Sequence, residues 1–245
     1  MRIVGVAVGN SRVQVGVVEG GEIRAVRRAP AGNPEDCFPE GERVRPDAVL
    51  LASVNPPAEE RVLALVRDRF GVEPLRVTSA GGVGLTNRCR PPERVGIDRL
   101  LAARAALERT GTDTLVLDFG TAATANLVSR DRVFHGGLIG PGLSLAARAL
   151  AGGTAALPAV ESPGAPPAFL GRSTEDAIRG GVFWTLVGAV ERIVRGIAEE
   201  WGKPLVVFAT GGDAERVAGA TRSIDRVVPT LVLEGLLHVH RDRTC

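Results

Sequence analysis

The sequence predicts an α/β protein of two similar halves. Three observations carry this: a repeated glycine-tipped hairpin, the order of strands and helices around it, and an adequate apolar content. The repeat says most. Val6–Gly16 reads VAVGNSRVQVG and Leu117–Leu127 reads LDFGTAATANL. Each is a strand, a glycine turn with a small or hydroxyl residue, and a second strand. Aligned on Gly9 and Gly120, Asn10 falls opposite Thr121 and Ala7 opposite Asp118. Strand hairpins come first in each half and helices follow, which favours two α/β halves over one alternating sheet. The division falls near residue 110, giving an N-terminal domain over residues 1–110 and a C-terminal domain over 111–245. At 245 residues, 44% hydrophobic and 24% charged, the chain can bury such cores and is not of disordered composition.

Elements follow from local pattern. Ile3–Val8 is an apolar run closed by the turn dipeptide Gly9-Asn10, and Val13, Val15 and Val17 alternate as a half-buried strand does. A third strand spans Glu22–Arg28, a Pro/Gly-rich stretch 30–46, and a buried strand Ala48–Ala52. Pro56-Pro57 opens a helix whose apolar spacing runs over Glu59–Phe70. A second helix is predicted over Asp98–Glu108, then a strand over Thr114–Leu117 and a strand pair about the turn at 129–132. Gly136-Gly137 and Gly140-Pro141-Gly142 read as turns before a helix over Leu143–Leu150. Beyond the Pro/Gly loop at 162–167, the longest helix covers Thr174–Trp201, with Ser173 or Thr174 as its N-cap. A strand at Leu205–Phe208, the turn Gly211-Gly212 and a closing helix over Thr230–Val239 complete the chain.

Composition also excludes. The formal net charge is +2, so no basic excess supports a nucleic-acid or membrane-surface partner. No apolar run approaches the roughly 20 residues that cross a bilayer. Cys37, Cys89 and Cys245 are odd in number and lack metal-ligand spacing, and no apolar leader follows Met1; a reducing cytoplasm is expected. His238 and His240 are two apart on a predicted helix and point different ways, a poor metal pair.

A glycine at a hairpin tip lets backbone N–H groups approach a phosphate, and a carboxylate two residues earlier can hold a cation beside it. Two facing hairpins of this kind would clamp a nucleotide. No G-x-x-x-x-G-K-[ST] string is present, and Asp118-Phe119-Gly120 lacks the catalytic loop, glycine loop and lysine strand of a protein kinase.

In combination these strings resemble the type III pantothenate kinase family. Ala7-Val8-Gly9-Asn10-Ser11 matches its first phosphate motif except at the first position. Gly96-Ile97-Asp98-Arg99, Asp118–Thr124 and Gly136–Gly142 match three further motifs intact, and Gly171–Thr174 and Thr210–Gly212 fall in place. The resemblance implies two actin-like (ribonuclease H-like) domains flanking a nucleotide cleft. It also implies an ATP-dependent phosphorylation of pantothenate, the first step toward coenzyme A. Mg²⁺, a monovalent cation (K⁺ or NH₄⁺) and a homodimer with its pocket at the subunit interface belong to the same expectation. Asp98 would be the general base. Gly96, Ile97 and Arg99 would shape the pantothenate pocket with Thr174. Gly9, Asn10, Ser11, Gly120 and Thr121 would hold the ATP phosphates, Gly211 and Gly212 would lie by the adenosine, and Asp118 would hold the monovalent cation. Taken alone, Asp98 is also readable as a helix-start carboxylate favoured by the macrodipole.

Three positions depart from the family pattern. Ala7 stands where the family has Asp, and Asn126 where it usually has a second Asp. Cys89 lies near a family Tyr, while this chain has no Tyr at all. Lost charge at a phosphate site weakens phosphoryl transfer, so the readings are a weakened kinase and, as the alternative, a non-catalytic relative that binds a nucleotide or a partner and regulates.

Overall fold

The computed structural model describes residues 1–38, 45–79 and 82–244. Part of the Pro/Gly-rich stretch, 39–44, and Cys245 lie outside them. The described chain forms two compact units. The first holds Met1–Arg109, Asp131–His135 and the C-terminal segment from Thr230; the second holds Thr110–Arg130 and Gly136–Pro229.

In the first unit, β1 (Arg2–Val8), β2 (Arg12–Glu19), β3 (Glu22–Pro30), β4 (Ala48–Ser53) and β5 (Leu75–Arg76) form a sheet in the order β3-β2-β1-β4-β5. β1 is antiparallel to β2 and parallel to β4. Its alternate residues Val4, Val6 and Val8 pack with Val13, Val15, Val49 and Leu51 against Val62 and Val66 of α1 (Pro56–Phe70). Asn55 caps that helix and Gly71, at φ 65°, closes it. α2 (Ile97–Thr110) is buried over most of its length.

The second unit repeats the plan. β7 (Thr114–Phe119), β8 (Ala122–Ser129), β9 (Val133–Pro141), β10 (Val206–Thr210) and β11 (Arg226–Val227) lie in the order β11-β10-β7-β8-β9. Counted along the chain within each unit, both orders are 3-2-1-4-5. β7 is antiparallel to β8 and parallel to β10, as β1 is to β2 and β4. The start of β9, in the first unit, pairs with β6 (Thr86–Asn87). α3 (Leu143–Gly153) and α4 (Thr174–Trp201) follow, with the short α5 (Ala214–Ala218) after β10. Ser173 caps α4, accepting from the Asp176 N–H at 3.1 Å. The apolar stripe of α4 is spent inside the unit: Ile178, Val182, Phe183, Val187 and Val190 are buried with Leu115, Leu117 and Val207.

The units do not follow the linear cut at residue 110. The closing helix α6 (Leu231–Thr244) belongs to the first unit, not to the 111–245 half. Its Leu233 sits over Gly5 and Gly16, a register pair whose missing side chains make room for it. Gly235 lies against the Leu101 backbone, where a Cβ would collide. Gly136 and Gly137 also differ from expectation, being strand residues of β9 and not a turn. A Cβ on Gly137 would collide with the Ala125 carbonyl oxygen, so glycine there permits close approach of backbone.

Candidate active site

The candidate residues gather at the carboxyl ends of the parallel strands of each unit, where open α/β sheets place ligands. In the first unit, β1 runs into the tip Gly9-Asn10-Ser11, which the Gly9 N–H closes by donating to the Arg12 carbonyl at 2.9 Å. The adjoining end of β4 is tied in by Val54 N–H to the Val8 carbonyl, 3.0 Å. Asn55, which sequence reasoning passed over, reaches the tip itself: its Nδ2 donates to the Gly9 and Asn10 carbonyls, 3.3 Å each. The dipeptide Asn55-Pro56 before a helix was the available signal.

Gly96 brings Asp98 to this same end. A Cβ on Gly96 would lie 2.5 Å from Asp98 Oδ1 and 3.6 Å from Val54 Cγ1, so the carboxylate folds back over the glycine beside the end of β4. Asp98 Oδ1 accepts from the Arg99 N–H at 2.8 Å. Burial nevertheless holds its pKa above the usual carboxylate range, against the Arg99 N–H and guanidinium charge, which pull it down. A carboxylate held in that way is a better proton acceptor than a solvated one. The Arg99 guanidinium stands over the Phe134 ring, 5.7 Å from its centroid. Ile97 is a core residue, 4% exposed, whose side chain anchors the start of α2.

In the second unit, β7 delivers Asp118 to the tip Gly120-Thr121. Two loops pin that tip, one after β9 and one after β10. Gly142 N–H donates to the Thr121 carbonyl at 3.1 Å, and Asp213 N–H donates to the Phe119 carbonyl at 3.1 Å. Gly211, at φ 94°, packs directly on Asp118: a Cβ there would collide with Asp118 Oδ1 and lie 2.6 Å from the Phe119 carbonyl oxygen. Gly120, Thr121, Gly211 and Asp118 are therefore brought together, with Gly212 next in the chain. Gly211→Ala should cost about 1–3 kcal/mol, from the left-handed backbone and the displaced carboxylate. Urea unfolding reads this, and an unchanged midpoint would show that the loop relaxes freely.

Asn126 is buried, and its Nδ2 donates to Thr124 Oγ1 at 2.9 Å; Thr124 is the register partner of Asp118. The amide thus fixes the hydroxyl next to the acid without adding charge. Thr174 opens α4, exposed, in the second unit, whereas Gly96, Asp98 and Arg99 are in the first.

Among the described residues, no group of three or more His, Cys, Asp or Glu side chains could hold a metal ion. Asp118, half-buried against Gly211, suits a hard cation that takes its other ligands from phosphate and water. Cys37 is inert: burial, with Asp36 nearby, pushes its thiol up to about 11. No helix among the described residues is long and apolar enough to cross a membrane.

Two sheets that share the five-strand order 3-2-1-4-5, each with a glycine-tipped hairpin at the carboxyl end of its first strand, define an α/β fold of the actin-like, sugar-kinase type. The fold is similar to that of a Baf family protein from Campylobacter jejuni, with TM-score 0.64, 16% identity and 98% of each chain covered. The chain belongs to the type III pantothenate kinase family, whose model matches residues 3–196. It is 38% identical over 196 residues to the type III pantothenate kinase of Hyphomonas neptunium, covering 80% of this chain and 76% of that one. With the Paramagnetospirillum magneticum protein of that name, it shares 36% over 246 residues, 95% and 94% of the two chains.

Proposed function

We propose that this protein phosphorylates pantothenate with ATP in the cytoplasm, as a dimer, at a rate lowered by its missing carboxylate. The observation that carries the reading is Asp98, a carboxylate of raised pKa folded over Gly96 at the end of β4. Asp98 would take the proton of the pantothenate hydroxyl as that oxygen bonds to the γ-phosphorus and the bond to ADP breaks. Arg99 and the backbone about Gly96 would position the acceptor, with Thr174 completing the pocket. The tips Gly9-Asn10-Ser11 and Gly120-Thr121 would each contact ATP phosphate, with Gly211 and Gly212 by the adenosine. Asp118 would hold the monovalent cation, and Mg²⁺ would be held chiefly by phosphate and water. The bound cations supply charge neutralisation.

The dimer draws support from exposed apolar side chains of the second unit: Ile139 on β9, Leu145 and Leu150 on α3, and Phe169 and Leu170 before α4. The stripe of α4 itself is already buried within its unit. Light scattering at micromolar concentration should report a dimer, and Ile139→Glu should shift it to monomer. A monomeric natural protein counts against this.

Ala7 favours a second reading, a nucleotide-binding regulator without turnover. An ADP-release assay with pantothenate, beside ATP calorimetry on the same sample, separates the two. Turnover supports the kinase, binding without turnover supports the regulator, and neither would remove both.

A further inference from the structure

Besides backbone donors from Gly9 and Ala31, the first phosphate tip is held by a side chain, that of Asn55. Asn55 Nδ2 donates to two successive carbonyls, those of Gly9 and Asn10, at 3.3 Å each. Its Oδ1 is committed to the Ala58 N–H at 3.3 Å, the cap of α1, which settles which end of the amide is the donor. Its own backbone is fixed by Ser53, whose Oγ accepts from the Asn55 N–H at 3.1 Å.

The consequence comes from peptide geometry. Neither Gly9-Asn10 nor Asn10-Ser11 is among the cis bonds, and in a trans unit the C=O and the following N–H point opposite ways. Tying the Gly9 carbonyl to Asn55 therefore turns the Asn10 N–H away from α1. Tying the Asn10 carbonyl does the same for the Ser11 N–H. Two amide donors are set on the side of the tip remote from Asn55, as an anion site made of successive N–H groups requires. At the second tip the Gly142 N–H holds the Thr121 carbonyl, the counterpart of the Asn10 carbonyl.

We propose that Asn55 is a positioning residue for nucleotide phosphate, aiming the Asn10 and Ser11 N–H groups through their peptide planes. The proposal rests on the kinase reading in so far as the anion is the phosphate of ATP. It makes no claim on the acceptor or on the proton transfer.

The test separates the two jobs of Asn55. Serine is as good an N-cap as asparagine but lacks the NH₂ that reaches the tip. Asn55→Ser should keep the melting temperature within about 2 °C and raise the ATP dissociation constant roughly tenfold, while the pantothenate KM stays unchanged. An ATP affinity within twofold of the natural protein would overturn the proposal. On the natural protein, backbone amide NMR with an ATP analogue should move the Asn10 and Ser11 resonances. Analogue binding with those two unmoved would also overturn it, and this readout does not depend on the variant folding. Should the natural protein bind no ATP, the kinase reading fails first and this inference falls with it.

Discussion

Replacing Asp98 by Asn is expected to lower pantothenate-dependent turnover by roughly 10²–10⁴-fold while ATP binding barely changes. Asn keeps the shape and the Oδ1 that accepts from the Arg99 N–H, but it takes no proton. Stability should move the other way. Burial raises the folded-state pKa of Asp98 above its unfolded value, so the ionised form is disfavoured in the fold. That linkage makes the natural protein pay at neutral pH, a cost absent below the unfolded value near pH 4. Asp98→Asn should therefore melt higher than the natural protein at pH 7, with the gap closing as pH falls through the carboxylate range. A helix-start carboxylate favoured by the macrodipole would show the opposite: lower stability and nearly unchanged turnover. The acid limb of kcat/KM should also lie above the ordinary carboxylate pKa. Steady-state rates and melting curves between pH 4 and 8 decide all three.

Restoring the missing carboxylate should raise activity. Ala7 is half-buried near the end of β1, with Gln14 and Ala52 as its register partners on β2 and β4. Asp118 holds the corresponding place on β7, between Thr124 and Thr210. A carboxylate at the place of Ala7 can ligate Mg²⁺ directly or through water. Ala7→Asp is expected to raise turnover at least tenfold at saturating Mg²⁺, about 1.4 kcal/mol of barrier, and to steepen the Mg²⁺ dependence. The two hairpins are not identical: four residues separate Val8 from Val13, but three separate Phe119 from Ala123. The longer first tip is the one that Asn55 bonds. Rates for both proteins at equal folded concentration test the gain. No gain with the fold intact would show that Ala7 is not the missing ligand, and would place the regulator reading first.

The sequence alone determined the repeated hairpin, the α/β class and the ends of the long helix, Thr174 to Trp201. These are local facts: a period of 3.6, alternation of valines, and glycine or a capping serine at a boundary all act over a few residues. It also placed Asp118, Gly120, Thr121 and Gly211 on one list, and the structure brings them together around one carboxylate. What only the tertiary structure decided involves residues far apart in the chain. The strands at 75–76, 86–87 and 226–227 are two residues each, too short to carry a period. α6 joins the first unit because Leu233 finds the space over Gly5 and Gly16, a fit invisible until β1 and β2 are paired. Asn55 is in sequence only the residue before the Pro56-Pro57 helix start, and its bond to the tip appears only when β4 lies beside β1 and carries it 45 residues back to Gly9-Asn10. Local chemistry specifies an element through its own neighbours, whereas a close approach between elements depends on which backbones pack together, and so on the whole fold.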